Sequence, residues 1–248
     1  MSVLIPNISH PFSGTGKKIE SKIRKALFDF SMLENIDTLA IALSGGKDSL
    51  TLLYMLNFIA GKGFKKIKLT AIHIDGEFSC GASVNRNFLK KICDDLKINI
   101  FFDNIDIDIK KTNCYSCSRE RRKKIFEIAK KNNIETIAFG HHKDDNIQTL
   151  LLNLFHKGEF EGMNPLIFME NYQVKIIRPM IYVDEKEIIA FSEKNNFLKI
   201  MCKCPIGTNS KRRDIKNIIE NIEKHFPNIK NNLSTSSFIY SQKKALKP

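Results

Sequence analysis

Residues 44–49 read Ser-Gly-Gly-Lys-Asp-Ser and join an apolar run at 38–43 to a helical pattern at 48–60. Two glycines allow the chain to turn sharply and bring its backbone close to a ligand. The N–H groups of that turn, the unpaired donors of the first helical turn and the positive end of the helix dipole then point to one spot. The stretch predicts a pyrophosphate-binding loop in which Lys47 adds positive charge. The plainer alternative is a glycine-rich turn with a capping serine; a Walker A loop is excluded because Asp48 follows the lysine.

Strand and helix patterns alternate along the chain around this loop. Such alternation predicts an α/β fold, with a doubly wound, mainly parallel sheet and helices on both faces. Ligands of such sheets bind beyond the carboxyl ends of the strands, so the residues after Leu43, Ile74 and Phe139 should meet at one site. The predicted strands are 38–43, 68–74, 98–104 and 136–140, and the predicted helices are 48–60, 85–96, 118–132 and 144–155.

Further patterns flank this region. Ile19, Ile23, Leu27 and Phe30 recur at helical spacing and predict an amphipathic first helix. An extended segment at 174–178 and helices at 184–195 and 213–225 predict a small C-terminal helical extension. The resulting division is an N-terminal mobile arm at 1–17, one domain at 18–230, and a flexible basic tail at 231–248. The string 14–17, Gly-Thr-Gly-Lys, follows no strand and is assigned to the arm.

The composition favours a folded protein that binds a polyanion. The 248 residues are 42% hydrophobic and 27% charged, which is near the globular average. The net charge of +13 suits nucleic acid, although the Lys-, Ile- and Asn-rich chain can also reflect a biased genome. We find no apolar run long enough for a membrane span and no signal-peptide pattern, so we expect a cytoplasmic protein without a membrane partner. The six cysteines then stay reduced and are available for metal binding or catalysis.

A second polar segment, Gly140-His141-His142-Lys143-Asp144-Asp145, closes the fourth predicted strand and opens a helix. One of the two aspartates is expected to hold Mg²⁺ bridging ATP phosphates, while His141 and Lys143 face the developing charge. The simpler alternative is that an aspartate only caps the helix. His73 and Asp75 end the second strand at the same edge.

The cysteines form one close pair and one looser pair. Cys114 and Cys117 form a CxxC motif in a loop before the predicted helix, and Cys202 and Cys204 follow much later. A CxxC motif alone could be a redox couple, half a metal site or chance. With the later cysteines, two metal hypotheses compete: structural zinc held by four thiolates, or an iron–sulfur cluster held by three, with one iron open. Cys93 lies in a predicted helix as a core residue.

Basic residues follow the CxxC motif and recur near the later cysteines. Arg121 and Arg122 share a helix face with the apolar Ile125 and Ala129, so we expect them to point towards the sheet edge, where they can bind phosphate. Lys123 and Lys124 have the ordinary explanation of a solvated face. The cluster 211–213, Lys-Arg-Arg, adds a second basic site suited to an RNA backbone.

Three sequence motifs, in their order along the chain, resemble those of a known family. The segments 44–49, 114–122 and 140–149, with Ile177-Arg178-Pro179, resemble the tRNA 2-thiocytidine synthetase (TtcA-like) family of PP-loop, or N-type, ATP pyrophosphatases. The likeness spans residues 18–230, which it identifies as a PP-loop ATPase and thiolase domain.

The resemblance implies an ATP-dependent sulfurtransferase that adenylates the C2 oxygen of an anticodon-loop cytidine, cytidine 32, and replaces that oxygen with sulfur. It implies ATP, Mg²⁺ and a [4Fe–4S] cluster as cofactors, tRNA as substrate, a sulfur donor such as a cysteine desulfurase, and a possible homodimer. The residues implied are catalytic Lys47, Asp48 and Asp145; nucleotide-binding Ser44, Gly45, Gly46, Lys47, Asp48, Ser49, His73, Gly140 and His141; cluster-binding Cys114, Cys117 and Cys204; and RNA-binding Arg119, Arg121, Arg122 and Arg212.

The sequence departs from its relatives at one ligand. They carry a second CxxC motif where this chain reads Cys202-Lys203-Cys204-Pro205. Alignment on the segment 211–213 puts the third ligand at Cys204, with Cys202 as the alternative. Other hypotheses are a 2-thiouridine-forming thiolase, disfavoured because no terminal zinc fingers are present, and a lysidine-synthetase-type ligase, disfavoured by the CxxC motif. A zinc-stapled RNA-binding module is the non-enzymatic alternative.

Overall fold

The computed structural model describes residues 6, 8–76, 86–105, 114–197 and 211–243. Six strands in this part of the chain form one sheet in the order β3-β2-β1-β4-β6-β5, and every neighbouring pair is parallel except β5 with β6. The predicted α/β fold with a mainly parallel sheet is therefore confirmed. The strands are β1 (Thr38–Ala42), β2 (Lys68–Asp75), β3 (Asn99–Asn104), β4 (Thr136–Ala138), β5 (Leu166–Met169) and β6 (Val174–Ile177).

Helices cover both faces of the sheet. One core joins the sheet to apolar residues of the first, second, third and sixth helices, and a second core joins its other face to the fourth helix. A smaller cluster links the fifth helix to the seventh. The helices are α1 (Thr15–Asp29), α2 (Lys47–Ile59), α3 (Arg86–Asp95), α4 (Cys114–Lys131), α5 (Lys143–Lys157), α6 (Glu185–Lys194), α7 (Lys211–His225) and α8 (Ile229–Lys243). None of the helices in the described residues is long and apolar enough to cross a membrane.

Helix α1 buries the stripe that its sequence predicts. Ile19, Ile23 and Leu27 are at most 1% exposed, and burying such a side chain contributes about 1.5–3 kcal/mol. The helix begins at Thr15, three residues before the predicted start of the domain, and Phe12 is buried against the ring of Phe191. Residues 8–14 thus lie on the domain.

Two C-terminal features differ from the sequence prediction. The antiparallel edge strand β5 was not predicted, and much of the expected flexible tail at 231–248 is helix α8. Helix α8 packs on α5 through Leu233 and through a polar contact, in which Asn146 Nδ2 donates to the buried Ser237 Oγ at 2.9 Å. Part of its buried face is polar, so the sequence shows no clear apolar periodicity there.

Candidate functional site

The loop at 44–49 is held by its own serine hydroxyls. Gly45 has φ +83°, a conformation that favours glycine. Its N–H donates to Ser49 Oγ at 3.1 Å, and the Gly46 N–H donates to Ser44 Oγ at 3.3 Å. The first helical bond of α2 runs from the Leu50 N–H to the Gly46 carbonyl. In the described part of the chain, the N–H groups of residues 47–49 have no partner, so the donors left for an anion are those of the first turn of α2.

The loop after β4 packs directly against this helix start. A Cβ atom added at Gly140 would lie 3.2 Å from the backbone nitrogen of Ser49 and 3.2 Å from the carbonyl carbon of Asp48. A side chain there would push the two segments apart, so the glycine lets both motifs meet. The strands before them, β1 and β4, are neighbours in the sheet. The predicted convergence of the two motifs at one sheet edge is confirmed.

Lys47 lies between two carboxylates. Its Nζ is 2.8 Å from Asp48 Oδ1 and 3.4 Å from Glu185 Oε1. Burial lowers the pKa of Lys47, but the two carboxylates outweigh burial and raise the pKa on balance, so the ammonium stays charged. Glu185, at the start of α6, is a site residue that the sequence did not indicate, because its segment carries no motif. Its own carboxylate also contacts Lys216 Nζ at 3.0 Å.

The two adjacent aspartates of α5 point in different directions. Asp144 Oδ2 accepts a 2.7 Å bond from the Glu185 N–H, so this side chain supports the start of α6. Asp145 Oδ2 accepts a 3.1 Å bond from the His142 N–H and lies 3.4 Å from His142 Nε2. The same nitrogen is 3.8 Å from Asp48 Oδ1. Asp48 and Asp145 therefore approach the same nitrogen of one imidazole, whereas Asp144 Oδ2 lies 3.9 Å from the other ring nitrogen, Nδ1.

Several of these residues line a cavity of about 320 Å³ between the loop at 44–49 and the helices α5, α6 and α7. Its walls carry carboxylates beside the loop and cations from α7, an arrangement that suits a metal-bound polyphosphate. The lining residues are Lys47, Asp48, His142, Asp145, Gln148, Glu185, Arg212, Arg213 and Lys216.

The expectation that Lys143 faces the reaction is wrong. Lys143 is 9% exposed, and its Nζ donates to Asp184 Oδ1 at 3.0 Å and to Asn231 Oδ1. This nitrogen therefore connects α5 to the start of α6 and to α8 and does not point to the loop at 44–49. Helical geometry explains the difference, because successive residues point about 100° apart on a helix of 3.6 residues per turn.

The two predicted histidines differ in burial, because the side chain of His141 is only half-buried. His73 is fully buried, its Nδ1–H donates to the Leu43 carbonyl at 2.7 Å, and burial lowers its pKa. His141 stacks on Phe139 with ring centroids 5.7 Å apart. Burial and the nearby guanidinium groups hold the pKa of His141 well below its usual value, so it is neutral at pH 7. Nucleotide contact by either histidine stays a prediction.

The CxxC motif lies in the first turn of α4, where the sequence predicted a loop. The motif residues are three apart on that helix and so share one side of it. Cys117 is half-buried against the second core. The side chain of Cys114, and all of Cys202 and Cys204, lie outside the described residues. Helix α4 starts earlier than predicted because its first turn has no apolar periodicity.

The basic residues of α4 behave unequally. Arg119 is exposed. Arg121 Nη2 donates to the Ile74 carbonyl at 3.0 Å, at the end of β2, and Arg122 Nε donates to the Ser118 carbonyl at 3.2 Å. Arg121 thus points to the sheet edge, as its helical spacing predicted. Across the cavity, Arg212 Nη1 lies 3.7 Å from Asp145 Oδ1.

Comparison with known proteins identifies the family of this chain. A family model described as a PP-loop domain matches residues 16–200. The tRNA-cytidine(32) 2-sulfurtransferase of Geobacter sulfurreducens is 34% identical over 227 residues, which span 88% of this chain and 87% of that protein. The protein of the same name from Coxiella burnetii is 34% identical over 223 residues, 88% of this chain and 87% of that one.

The fold has a solved counterpart. The U34-tRNA thiolase NcsA from Methanococcus maripaludis, solved with its [4Fe-4S] cluster, superposes with a TM-score of 0.74 at 23% identity, over 91% of this chain and 79% of that one. At this identity the likeness concerns the fold. The relatives and the family model together show that the chain belongs to the PP-loop family, in its group of tRNA-cytidine(32) 2-sulfurtransferases.

Proposed function

We propose that this protein is an ATP-dependent tRNA sulfurtransferase that replaces the C2 oxygen of cytidine 32 with sulfur. The observation that carries the proposal is the meeting of the loop at 44–49 with the segment 140–145 around one cavity at the carboxyl edge of the sheet. Helix α4, with the CxxC motif in its first turn, runs along the same sheet. Relatives of the same group carry the corresponding name.

The first half-reaction follows from the charges of the cavity. The N–H groups at the start of α2 and the ammonium of Lys47 bind the pyrophosphate portion of ATP. Asp48 and Asp145 would hold Mg²⁺, because both carboxylates approach the same His142 nitrogen, at 3.8 and 3.4 Å, and carboxylate oxygens are ligands that this cation prefers. The C2 oxygen of the cytosine attacks the α-phosphate, and the bond to the leaving pyrophosphate breaks. These groups neutralise the charge that develops on the pyrophosphate.

The second half-reaction needs a sulfur species near the adenylated base. Attack of sulfur at C2 breaks the bond from C2 to oxygen and releases AMP. Thiolates are the donors that iron–sulfur clusters use, and the first turn of α4 contains two cysteines three residues apart. A [4Fe–4S] cluster bound by Cys114, Cys117 and Cys204 would offer one open iron to that sulfur. Cys202 is the alternative third ligand.

The partners belong to the same proposal. Arg119, Arg121, Arg122 and Arg212 bind the tRNA backbone, and a cysteine desulfurase supplies the sulfur. We further propose that the protein works in the cytoplasm and forms a homodimer. Gel filtration with light scattering tests the dimer, and sulfur transfer from a cysteine desulfurase, compared with free sulfide, tests the donor.

The decisive experiment is a turnover assay with anaerobically prepared protein, ATP, sulfide and unmodified tRNA. We expect equal amounts of AMP, pyrophosphate and 2-thiocytidine, identified by mass spectrometry of the digested tRNA. Thiolated uridine would favour the thiouridine-forming alternative, and a coupled amine would favour the ligase. Absence of AMP release with any tRNA would contradict an enzymatic role.

The cluster has its own test, since it does not depend on turnover. Iron and acid-labile sulfide should be bound in the wild type and lost on substitution of Cys114, Cys117 or Cys204 by alanine. Cys93 provides the control, because it is buried in the core and burial raises its pKa to about 12, which makes it a poor metal ligand. Cluster loss in Cys202→Ala with retention in Cys204→Ala would reverse the choice of third ligand. Stoichiometric zinc without iron would contradict the cluster.

A further inference from the structure

Arg178 follows strand β6 at the same sheet edge as the cavity, but it is not among the residues that line the cavity. Its backbone is fixed, because the Arg178 N–H donates to the Pro165 carbonyl at 2.9 Å and its carbonyl accepts the Ile181 N–H at 3.1 Å. Its Nη1 donates to the Asn164 carbonyl. The guanidinium is therefore held in one orientation before any ligand arrives.

The opposite edge of this guanidinium is unused. Arg178 Nε is buried and has no hydrogen-bond partner among the described residues. A buried donor without a partner costs free energy, so such a group in a folded protein needs an explanation. Because Nη1 already donates to Asn164, the Nε and Nη2 donors are the pair left for a ligand. The spacing of these two donors matches that of two oxygens on one phosphate.

Other cations surround the same place. Strands β4 and β6 pair, with the Phe139 N–H donating to the Ile177 carbonyl at 3.0 Å, so His141 and Arg178 follow adjacent strand ends. Arg178, Arg212 and Arg122 all lie close enough to His141 to lower its pKa electrostatically. The Asp145 carboxylate acts on Arg178 and also contacts Arg212. Two of the three guanidinium groups thus share one carboxylate.

His141 adds a second unused atom. Its Nδ1 is buried and unpartnered within the described part of the chain, while its ring is fixed on Phe139. Arg178 and His141 therefore present unpaired polar atoms from neighbouring strand ends. A multiply charged anion would satisfy the guanidinium groups and offset their mutual repulsion.

We propose that Arg178, beside His141, Arg122 and Arg212, forms a second phosphate-binding site, separate from the loop at 44–49, that takes the non-bridging oxygens of a phosphate ester. This inference rests on the proposed function and deepens it. The phosphate belongs either to the adenylate, as its α-phosphate, or to the RNA backbone next to the reacting nucleotide. In both cases the site fixes the position of the base relative to the adenylating phosphate.

The test measures binding, without turnover, in Arg178→Met and Arg178→Lys. AMP and pyrophosphate affinities are measured by calorimetry, and tRNA affinity is measured over a range of salt concentrations. Arg178→Met loses a charged, bidentate contact, so its affinity for the phosphate-ester ligand should fall about tenfold or more. Arg178→Lys should recover only part of that affinity. Pyrophosphate affinity should not change. Lys123→Met is the matched control, because Lys123 is an exposed cation next to Arg122 on α4.

The two sources of the phosphate give different results. If the site holds the α-phosphate, AMP affinity falls and the salt dependence of tRNA binding is unchanged. If it holds an RNA phosphate, AMP affinity is unchanged and the log–log salt slope becomes shallower by about 0.7. A distorted backbone in the variant would not reduce the salt slope by the amount of one phosphate contact and at the same time leave the pyrophosphate affinity unchanged.

AMP affinity and salt slope both equal to the wild type in folded Arg178→Met would overturn the inference. If Arg178→Met does not fold, Arg178→Lys decides through affinity at one salt concentration, because lysine keeps the charge but cannot make the bidentate contact. Wild-type affinities of Arg178→Lys for both AMP and tRNA would then overturn the inference. Failure of the proposed function looks different, because the wild type itself would then produce no thiolated tRNA.

Discussion

Asp184 is the most informative residue for stability, because it joins three helices. Its carboxylate accepts bonds from Lys22 of α1 and from Lys143 of α5, immediately before α6 begins. Burial raises the pKa of Asp184, but the two lysines outweigh burial and lower the pKa from 3.8 to about 2. A difference of this size corresponds to about 2 kcal/mol, and partial exposure reduces the expected contribution to about 1–2 kcal/mol.

The sign of the pH dependence follows from the lowered pKa. The contribution is present above pH 3.8, the ordinary pKa that applies to the unfolded chain, and is lost as the pH falls towards 2. Asp184→Asn cannot titrate. We therefore expect Asp184→Asn to be about 1–2 kcal/mol less stable than the wild type at pH 7, with the gap narrowing at pH 3.

Urea unfolding followed by circular dichroism at pH 7, 5 and 3 measures this gap. Asp94→Asn is the control, because Asp94 pairs with Lys90 on the surface, where both side chains are more than half exposed. Its effect should stay within about 0.5 kcal/mol. Equal stability of Asp184→Asn and the wild type at pH 7, or a gap of the same size at pH 3, would refute the reasoning.

Four further outcomes are expected at the site. Lys47→Ala should lose pyrophosphate release with tRNA and ATP while its circular dichroism spectrum is unchanged; release at the parent rate would contradict the loop assignment. Gly140→Ala should weaken ATP binding in calorimetry, because its Cβ would lie 3.2 Å from the start of α2. Cys117→Ala prepared anaerobically should lose the iron absorbance that Cys93→Ala keeps. The affinity for tRNA, measured by filter binding, should fall steeply as salt is added, with a log–log slope of about −0.7 for each phosphate contacted in single strands. An affinity that does not change with salt would contradict the assignment of the basic residues to the RNA site.

Much of the fold was predictable because its apolar patterns are periodic. The strand at Thr38–Ala42 and the helix at Lys47–Ile59 lie within one residue of the prediction. The missed elements have a weaker signal, since β5 is a four-residue edge strand and the buried face of α8 includes Ser234 and Ser237. Glu185 was missed because only tertiary packing brings the start of α6 to Lys47.

The segment 142–145 shows why a motif cannot be assigned one role throughout. All four residues belong to one helix start, yet their side chains diverge around it. Lys143 binds Asp184, Asp144 accepts the Glu185 N–H, and only His142 and Asp145 of the four line the cavity. Lys143 and Asp144 hold α6 in place, and α6 in turn brings the Glu185 carboxylate to Lys47. Two residues of the segment thus position the cavity wall that the other two line. Substituting Asp144 should therefore alter the position of Glu185, while substituting Asp145 should remove the proposed Mg²⁺ ligand.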